Sequence, residues 1–331
     1  MTTIRFDGQV AIVTGAARGL GRAYARELAS RGAKVVVNDA NLEITGRAPE
    51  IDPDETPAKV VDEIRGAGGT AVASTESVVS EQGAARIVDR ALDEWGRVDV
   101  VVNNAGTLRQ APLELWTVDD VRAMLDTHVI GAFNVTKPAY TAMRTQGYGR
   151  FLFIGSSAAV WGNRVQIGYS AAKGGALGLA KTVAIEGAEF GIHANVLQPV
   201  AWTRMAGKES SAINGWLDNP ESVSDEDQKI SDAIGPLRSR TEPEYAAPLA
   251  VYLCSRACDL NGLVFSGAAG RYARVNIAFD DGWQASFDAP PTVEEIAEHL
   301  GEINRSTNLV EPLSTMHELF EIVRGRPAAA R

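Results

Sequence analysis

The sequence is short of cysteine, with Cys254 and Cys258 the two in 331 residues, which excludes a disulfide-stapled scaffold. It lacks long hydrophobic runs: none approaches the roughly 20 apolar residues that a membrane span requires, so no membrane partner is expected. The N-terminus, MTTIRFDGQV, has no apolar leader core, and a cytoplasmic protein is expected. Positive charge is in the minority. Lys and Arg number 32 against 42 Asp and Glu, a net charge of −10, which argues against a nucleic-acid surface while leaving room for a small anionic ligand bound locally. Glycine and proline, 32 and 14, follow no short period, so collagen-like and disordered classes are excluded.

What is present is ordinary for a globular protein: 45% apolar and 22% charged residues in a chain long enough to bury a sizeable core without metals or cross-links. Cys254 and Cys258 lie one helical turn apart in PLAVYLCSRAC. They read as small reduced core residues, with a metal pair as the lesser alternative.

Short β-rich runs alternate with longer helical patterns. QVAIVT (9–14), KVVVN (34–38), TAVAS (70–74), VDVVV (98–102), FLFIG (151–155), HANVLQ (193–198) and LVFS (263–266) are the expected strands. Their near-continuous apolar character fits strands buried on both faces of a parallel sheet. Amphipathic stretches at 19–31, 81–95, 117–146, 168–190 and 242–257 supply crossover helices. The fold class is therefore α/β: a doubly wound, seven-stranded parallel sheet of the Rossmann kind, helices on both faces, and a C-terminal helical extension.

Two loops interrupt the alternation. Residues 40–57 end in Thr56-Pro57, a cap followed by a first helical residue. Residues 203–241, rich in Ser, Asp and Glu, are either a substrate lid or a tolerated insertion. DAPP (288–291) reads as a linker, which divides the chain into a main domain, 1–287, carrying the alternating strands and helices, and an extension, 288–331. Two capping boxes, Thr292 with Glu295 and Thr315 with Glu318, open helices there. Their apolar stripes are Ile296, Leu300 and Ile303, then Leu319, Ile322 and Val323. Such stripes require a partner surface, on the main domain or a second subunit.

The first strand runs into TGAARGLG (14–21). Gly15, Gly19 and Gly21 permit a tight turn, close backbone approach and close helix packing, and the helix start offers free N–H groups to a phosphate. Arg18 and Leu20 belong to the same cradle. Asp39, about 20 positions on at the end of the second strand, completes the dinucleotide pattern. Its carboxylate suits ribose hydroxyls and repels a 2′-phosphate, whereas Arg18 would attract one. The acid decides for NAD, and the alternative is that Asp39 merely caps the following loop.

Tyr169 and Lys173 stand one turn apart in YSAAK, and Ser156 closes the fifth strand upstream, with Ser157 as the neighbouring candidate. An ammonium beside a phenol, together with the positive nicotinamide ring, lowers its pKa toward working pH, and a serine hydroxyl can bond the oxygen with which the phenol exchanges a proton. The expected chemistry is proton exchange with an alcohol or carbonyl oxygen.

In order along the chain, TGAARGLG, Asn103 to Gly106, Ser156 and Tyr169 with Lys173 resemble the short-chain dehydrogenase/reductase family, and the resemblance covers roughly residues 5–270. It implies a strand order of 3-2-1-4-5-6-7 and a cofactor walled by Asn104, Ala105 and Gly106. Glu76 and Ser77 would lie near the adenine, Lys173 on the nicotinamide ribose and Thr203 at the carboxamide. Pairing through the two long helices, into a homodimer or homotetramer, is likewise implied. His128-Val129-Ile130-Gly131 stands where the family commonly has an asparagine that holds a proton-relay water. His128 either continues that relay or satisfies a helix carbonyl.

Within the family, RFDGQVAIVTGA, GRVDVVVNNAG, YGRFLFIGSSAA and the tail PPTVEEIAEHLGEINR are similar to the dehydrogenase part of the type 2 peroxisomal multifunctional enzymes. That branch oxidises (3R)-hydroxyacyl-CoA thioesters and some 17β-hydroxysteroids with NAD, but the chain ends AAAR, without a peroxisomal tripeptide. For a thioester's phosphates the candidate cations are Arg204, Lys208 and Arg109; for a steroid slot, the candidate walls are Trp161, Trp202 and Trp216, each of which could equally be core. Another bulky hydrophobic or cyclic alcohol is the alternative substrate, and a non-catalytic dinucleotide-binding regulator the remote one.

Overall fold

A computed structural model describes residues 3–41, 52–201, 240–286, 289–312 and 314–318. Thr203, Arg204, Lys208, Trp202, Trp216 and the stripe Leu319, Ile322 and Val323 lie outside the described residues, as does nearly all of the 203–241 loop.

The strands are β1 (Val10–Thr14), β2 (Lys34–Asn38), β3 (Thr70–Ser74), β4 (Val100–Asn103), β5 (Gly149–Ile154), β6 (Ile192–Val200), β7 (Val264–Ala268) and β8 (Arg271–Val275). Every residue of β1, β4 and β5 is buried, as expected of apolar runs covered on both faces. The order is β3-β2-β1-β4-β5-β6-β7-β8, parallel through β7. Seven strands fall where the apolar runs lie and in the order that the family resemblance implies. The eighth is a correction. Its residues are mostly exposed and alternate too weakly to stand out, and it forms through a two-residue turn at Ala269 (φ 49°) and Gly270 (φ 82°), which folds the chain back beside β7.

The helices form two packed groups. One comprises α1 (Gly19–Ser30), α2 (Pro57–Gly66) and α8 (Ala247–Leu253); the other comprises α3 (Glu81–Trp95), α4 (Val118–Leu125), α5 (Gly131–Gln146) and α7 (Ile167–Gly187). A short α6 (Ala158–Trp161) follows β5. Thr56 caps α2 with Pro57 as its first residue, as read. The expected helix 117–146 is interrupted: between α4 and α5, residues Asp126–Ile130 form a single π turn around His128, so a widened helix replaces one continuous rod. Phe6, Tyr24, Leu28, Val35 and Leu152 lie in the core under α1, and both cysteines are buried there as free thiols, each pushed up in pKa by burial.

The chain divides into two compact units, Met1–Arg274 and Val275–Arg331. The division precedes DAPP because residues 275–286 already turn toward the extension: Phe279 pairs with Val310, and Asp280 accepts from the backbone N–H groups of Thr307 and Asn308. In the second unit, Thr292 and Glu295 form the expected capping box of α9 (Val293–Glu298), and α10 (Leu300–Ile303) follows. The second box is corrected: Ser314, not Thr315, takes the cap, its hydroxyl accepting from His317 N–H.

Candidate active site at the carboxyl ends of the strands

The reversal of strand order beside β1 opens a crevice at the carboxyl ends of β1 and β4, where ligands bind in open α/β sheets. Its floor is the glycine turn. Gly15 (φ 63°) and Gly19 (φ 50°) take the left-handed conformation. A Cβ on Gly15 would stand 2.8 Å from Ala105 Cα, and one on Gly21 2.2 Å from the Gly15 carbonyl oxygen, so neither position admits a side chain.

The Asn103–Gly106 segment is bolted to this turn. The Thr14 hydroxyl accepts from the N–H groups of Asn104 and Ala105 at 3.1 and 3.0 Å, and Asn104 Nδ2 donates to the carbonyls of Thr14 and Gly15 at 2.8 and 3.0 Å. Asp39 is buried; Oδ2 accepts from Ala17 N–H at 3.1 Å and Oδ1 from Asn41 N–H at 2.9 Å. The carboxylate therefore braces the glycine turn as well as its own loop, and each oxygen retains a second lone pair. Arg18 is committed: its Nη1 donates to Glu55 Oε2 at 2.9 Å, which balances the charge that would draw a 2′-phosphate. The Leu20 side chain is half-buried and packs against the core. Glu76 holds Arg86 through both carboxylate oxygens, and its backbone carbonyl accepts from Asn38 Nδ2, while the Ser77 hydroxyl accepts from Val79 N–H.

Ser156 lies just beyond β5, half-buried, its Oγ accepting from Ala158 N–H at 3.2 Å, whereas Ser157 is exposed; the structure thereby separates the two candidates. Lys173 is buried, and its Nζ donates to the Ile154 carbonyl at 2.6 Å, which ties α7 to the end of β5 and stands the ammonium 5.6 Å from the Tyr169 ring centre. The His128 ring meets Tyr169 edge-on at 5.3 Å, so Ser156, Tyr169, Lys173 and His128 converge.

Burial governs their proton affinities. It pushes the Tyr169 phenol up, opposed by a hydrogen bond with the Ser156 side chain, lowers the Lys173 amine to about 8, and lowers His128 to about 3 with help from the Lys173 charge. In the protein alone, burial outweighs the bond with Ser156 and the phenol stands above its ordinary value; the expected lowering belongs to Lys173 together with bound nicotinamide. His128 is neutral at physiological pH. Its Nε2 lies 2.8 Å from the Thr107 carbonyl and buried Nδ1 has no partner; the adjoining cavity of about 10 Å³, lined by Asn103, Lys173 and Thr14 among others, has room for about one water.

Outside this cluster, Arg109 stands 3.1 Å from Asp120 and 5.6 Å from the Trp116 ring centre, so its guanidinium is engaged within the protein. Trp161 is 70% exposed, which removes it from the core. The sequence reading missed Trp116, which packs on Gly168 just before Tyr169; its place before the Thr117 cap of α4 was the available signal. Among the described residues there is no cluster that could hold a metal ion and no helix long and apolar enough to cross a membrane.

The short chain dehydrogenase family model matches residues 9–214. A Mycobacterium tuberculosis short-chain type dehydrogenase/reductase, Rv0148, is 39% identical over 89% of this chain and 93% of its own. Peroxisomal multifunctional enzyme type 2 of Drosophila melanogaster is 38% identical over 95% of this chain, which spans 50% of that protein. Its solved structure superposes with a TM-score of 0.72 at 32% identity, over 97% of this chain and 50% of that one. A 7α-hydroxysteroid dehydrogenase solved with NADH gives a TM-score of 0.66 at 29% identity, over 82% of this chain and 97% of that one. A glycine cradle that no Cβ can enter, a Ser–Tyr–Lys cluster and these matches lead to one conclusion: the chain belongs to the short-chain dehydrogenase/reductase family, as an oxidoreductase of CH–OH groups that uses a nicotinamide dinucleotide.

Proposed function

We propose that the protein is an NAD-dependent dehydrogenase that interconverts a bulky apolar secondary alcohol and its ketone, with a (3R)-hydroxyacyl-CoA as the foremost substrate and a 17β-hydroxysteroid as the second. The observation that carries the reading is the meeting of Ser156, Tyr169 and Lys173 beside the dinucleotide turn. Bound nicotinamide supplies the hydride acceptor. Acting as a phenolate, Tyr169 would take the alcohol's hydroxyl proton at Oη while the carbon's hydride goes to the nicotinamide; Ser156 Oγ would hold the same oxygen, and Lys173, fixed by Ile154, would keep its remaining N–H donors for the cofactor ribose and its charge beside the phenolate. Neutral His128 passes protons through its one-water cavity toward Lys173. An open cleft of about 470 Å³ lined by Ala111, Leu113, Val165 and Ile167 supports an apolar substrate. Turnover of (3R)-hydroxyacyl-CoA and 17β-hydroxysteroid panels with NAD, followed at the absorbance of NADH, tests this; binding of NADH with no turnover of either class sinks it.

NAD is favoured because the Asp39 carboxylate sits at the turn while Arg18 is neutralised by Glu55. A phosphate charge about 4 Å from Asp39 would meet a repulsion of about 4 kcal/mol at an effective dielectric of 20. Wild type is expected to prefer NADH over NADPH by more than tenfold in kcat/KM, and Asp39→Ser to narrow that ratio; a wild-type preference for NADPH overturns the assignment. The exposed side chains of Ile130, Phe133 and Ile185 on the π turn, α5 and α7 support pairing of two copies through these helices, measurable by light scattering in solution.

A further inference from the structure

Tyr169 lies in the first turn of its helix, a turn without a side-chain cap. Ile167, Gly168 and Tyr169 open α7, Gln166 before them supplies no side-chain cap, and Ser170 N–H bonds back to the Gln166 carbonyl at 2.8 Å. The N–H groups of a first helical turn have no intrahelical acceptor, so such a turn is held by whatever packs on it.

Trp116 packs on it. Its indole lies so close to Gly168 that a Cβ there would stand 2.4 Å from Cζ3, and its Nε1–H donates to the Ala111 carbonyl at 2.8 Å. Ala111 N–H donates in turn to the Val165 carbonyl at 2.8 Å. Val165 stands at φ 58°, a left-handed conformation that a β-branched residue adopts only where its surroundings impose it. Arg109 completes the frame, its guanidinium 5.6 Å from the indole centre and 3.1 Å from Asp120, which also closes the capping box of α4.

We propose that Trp116 is a positioning residue for the reaction: seated on Gly168, it fixes the uncapped first turn of α7 so that the Tyr169 phenol meets Ser156. The proposal rests on the acid–base reading of Tyr169 given above. Gly168 is required because any side chain there would displace the indole.

A double-mutant cycle on the full chain tests it, with a (3R)-hydroxyacyl-CoA thioester and NAD as probes. Trp116→Ala is expected to lower kcat about ten- to a hundredfold, the scale of a misplaced catalytic group. Affinity for NADH by calorimetry should stay within about twofold, since the glycine turn is untouched. Gly168→Ala should lower kcat comparably in the wild-type background and hardly further once Trp116 is alanine. Trp116→Phe, which keeps a ring on Gly168 but loses the bond to Ala111, should fall between. Hydrogen exchange at the amides of residues 170–173 should quicken in Trp116→Ala. That measurement needs no substrate, so it decides the question even where the thioester is not turned over. The proposal is overturned if kcat stays within about twofold of wild type, if Gly168→Ala costs as much without Trp116 as with it, if exchange is unchanged, or if NADH affinity and kcat fall together.

Discussion

The glycine turn and the cluster of Ser156, Tyr169, Lys173 and His128 adjoin at the carboxyl ends of the central strands, yet they are built from opposite materials. The turn is backbone: Gly15 and Gly21 work by having no side chain, and added atoms would strike main chain 2.8 and 2.2 Å away. The cluster consists of ionisable side chains whose states depend on burial, with Lys173 at about 8 and His128 at about 3. One region therefore fails on volume and the other on charge.

Four substitutions break or sharpen that contrast. The largest effect is expected from Tyr169→Phe, which removes the hydroxyl proposed to exchange the proton and almost no volume: turnover should fall by about 10²–10⁴ while NADH affinity by calorimetry holds. Gly21→Ala should do the reverse, weakening NADH binding by at least about tenfold at every pH between 6 and 9 because the clash is steric.

Lys173→Met is expected to abolish most turnover yet raise the melting temperature by a few degrees. The amine is depressed from 10.5 to about 8, so between those values the unfolded chain carries a proton that the native one has lost, and wild-type stability rises with pH there. The advantage of the methionine variant is therefore full below about pH 8 and fades toward 10.5; a gain that is constant across this window would deny the buried charge.

The smallest effect belongs to His128→Asn, whose amide can still donate to the Thr107 carbonyl. Native His128 refuses a proton down to about 3 that the unfolded chain accepts near 6.5, so wild type loses stability as pH falls through that range. The asparagine variant should lose less, as acid-titrated denaturation would show. Equal acid sensitivity would mean that the imidazole is not buried as described.

Much of this was legible because it is local. The parallel strands follow from unbroken apolar runs such as FLFI in β5, and the cradle from glycine spacing between a strand and a helix. Tyr169 and Lys173 share a face through helical periodicity alone. The edge hairpin through Ala269 and Gly270 was not legible, because an exposed strand needs no apolar pattern. Nor were the pairing of Arg18 with Glu55, of Arg109 with Asp120, or the seat of Trp116 on Gly168. Each joins residues whose neighbourhood arises only once helices and loops pack.

The order of residues alone determined the α/β class, the glycine turn between a strand and a helix, and the shared helix face of Tyr169 and Lys173, since these rest on steric exclusion and on fixed helical and strand periods. Tertiary structure decided which serine faces the phenol, which cations remain engaged within the protein, and the proton affinities of Tyr169, Lys173 and His128. A pKa depends on the dielectric and charge around a group in three dimensions, and no spacing along the chain encodes that directly.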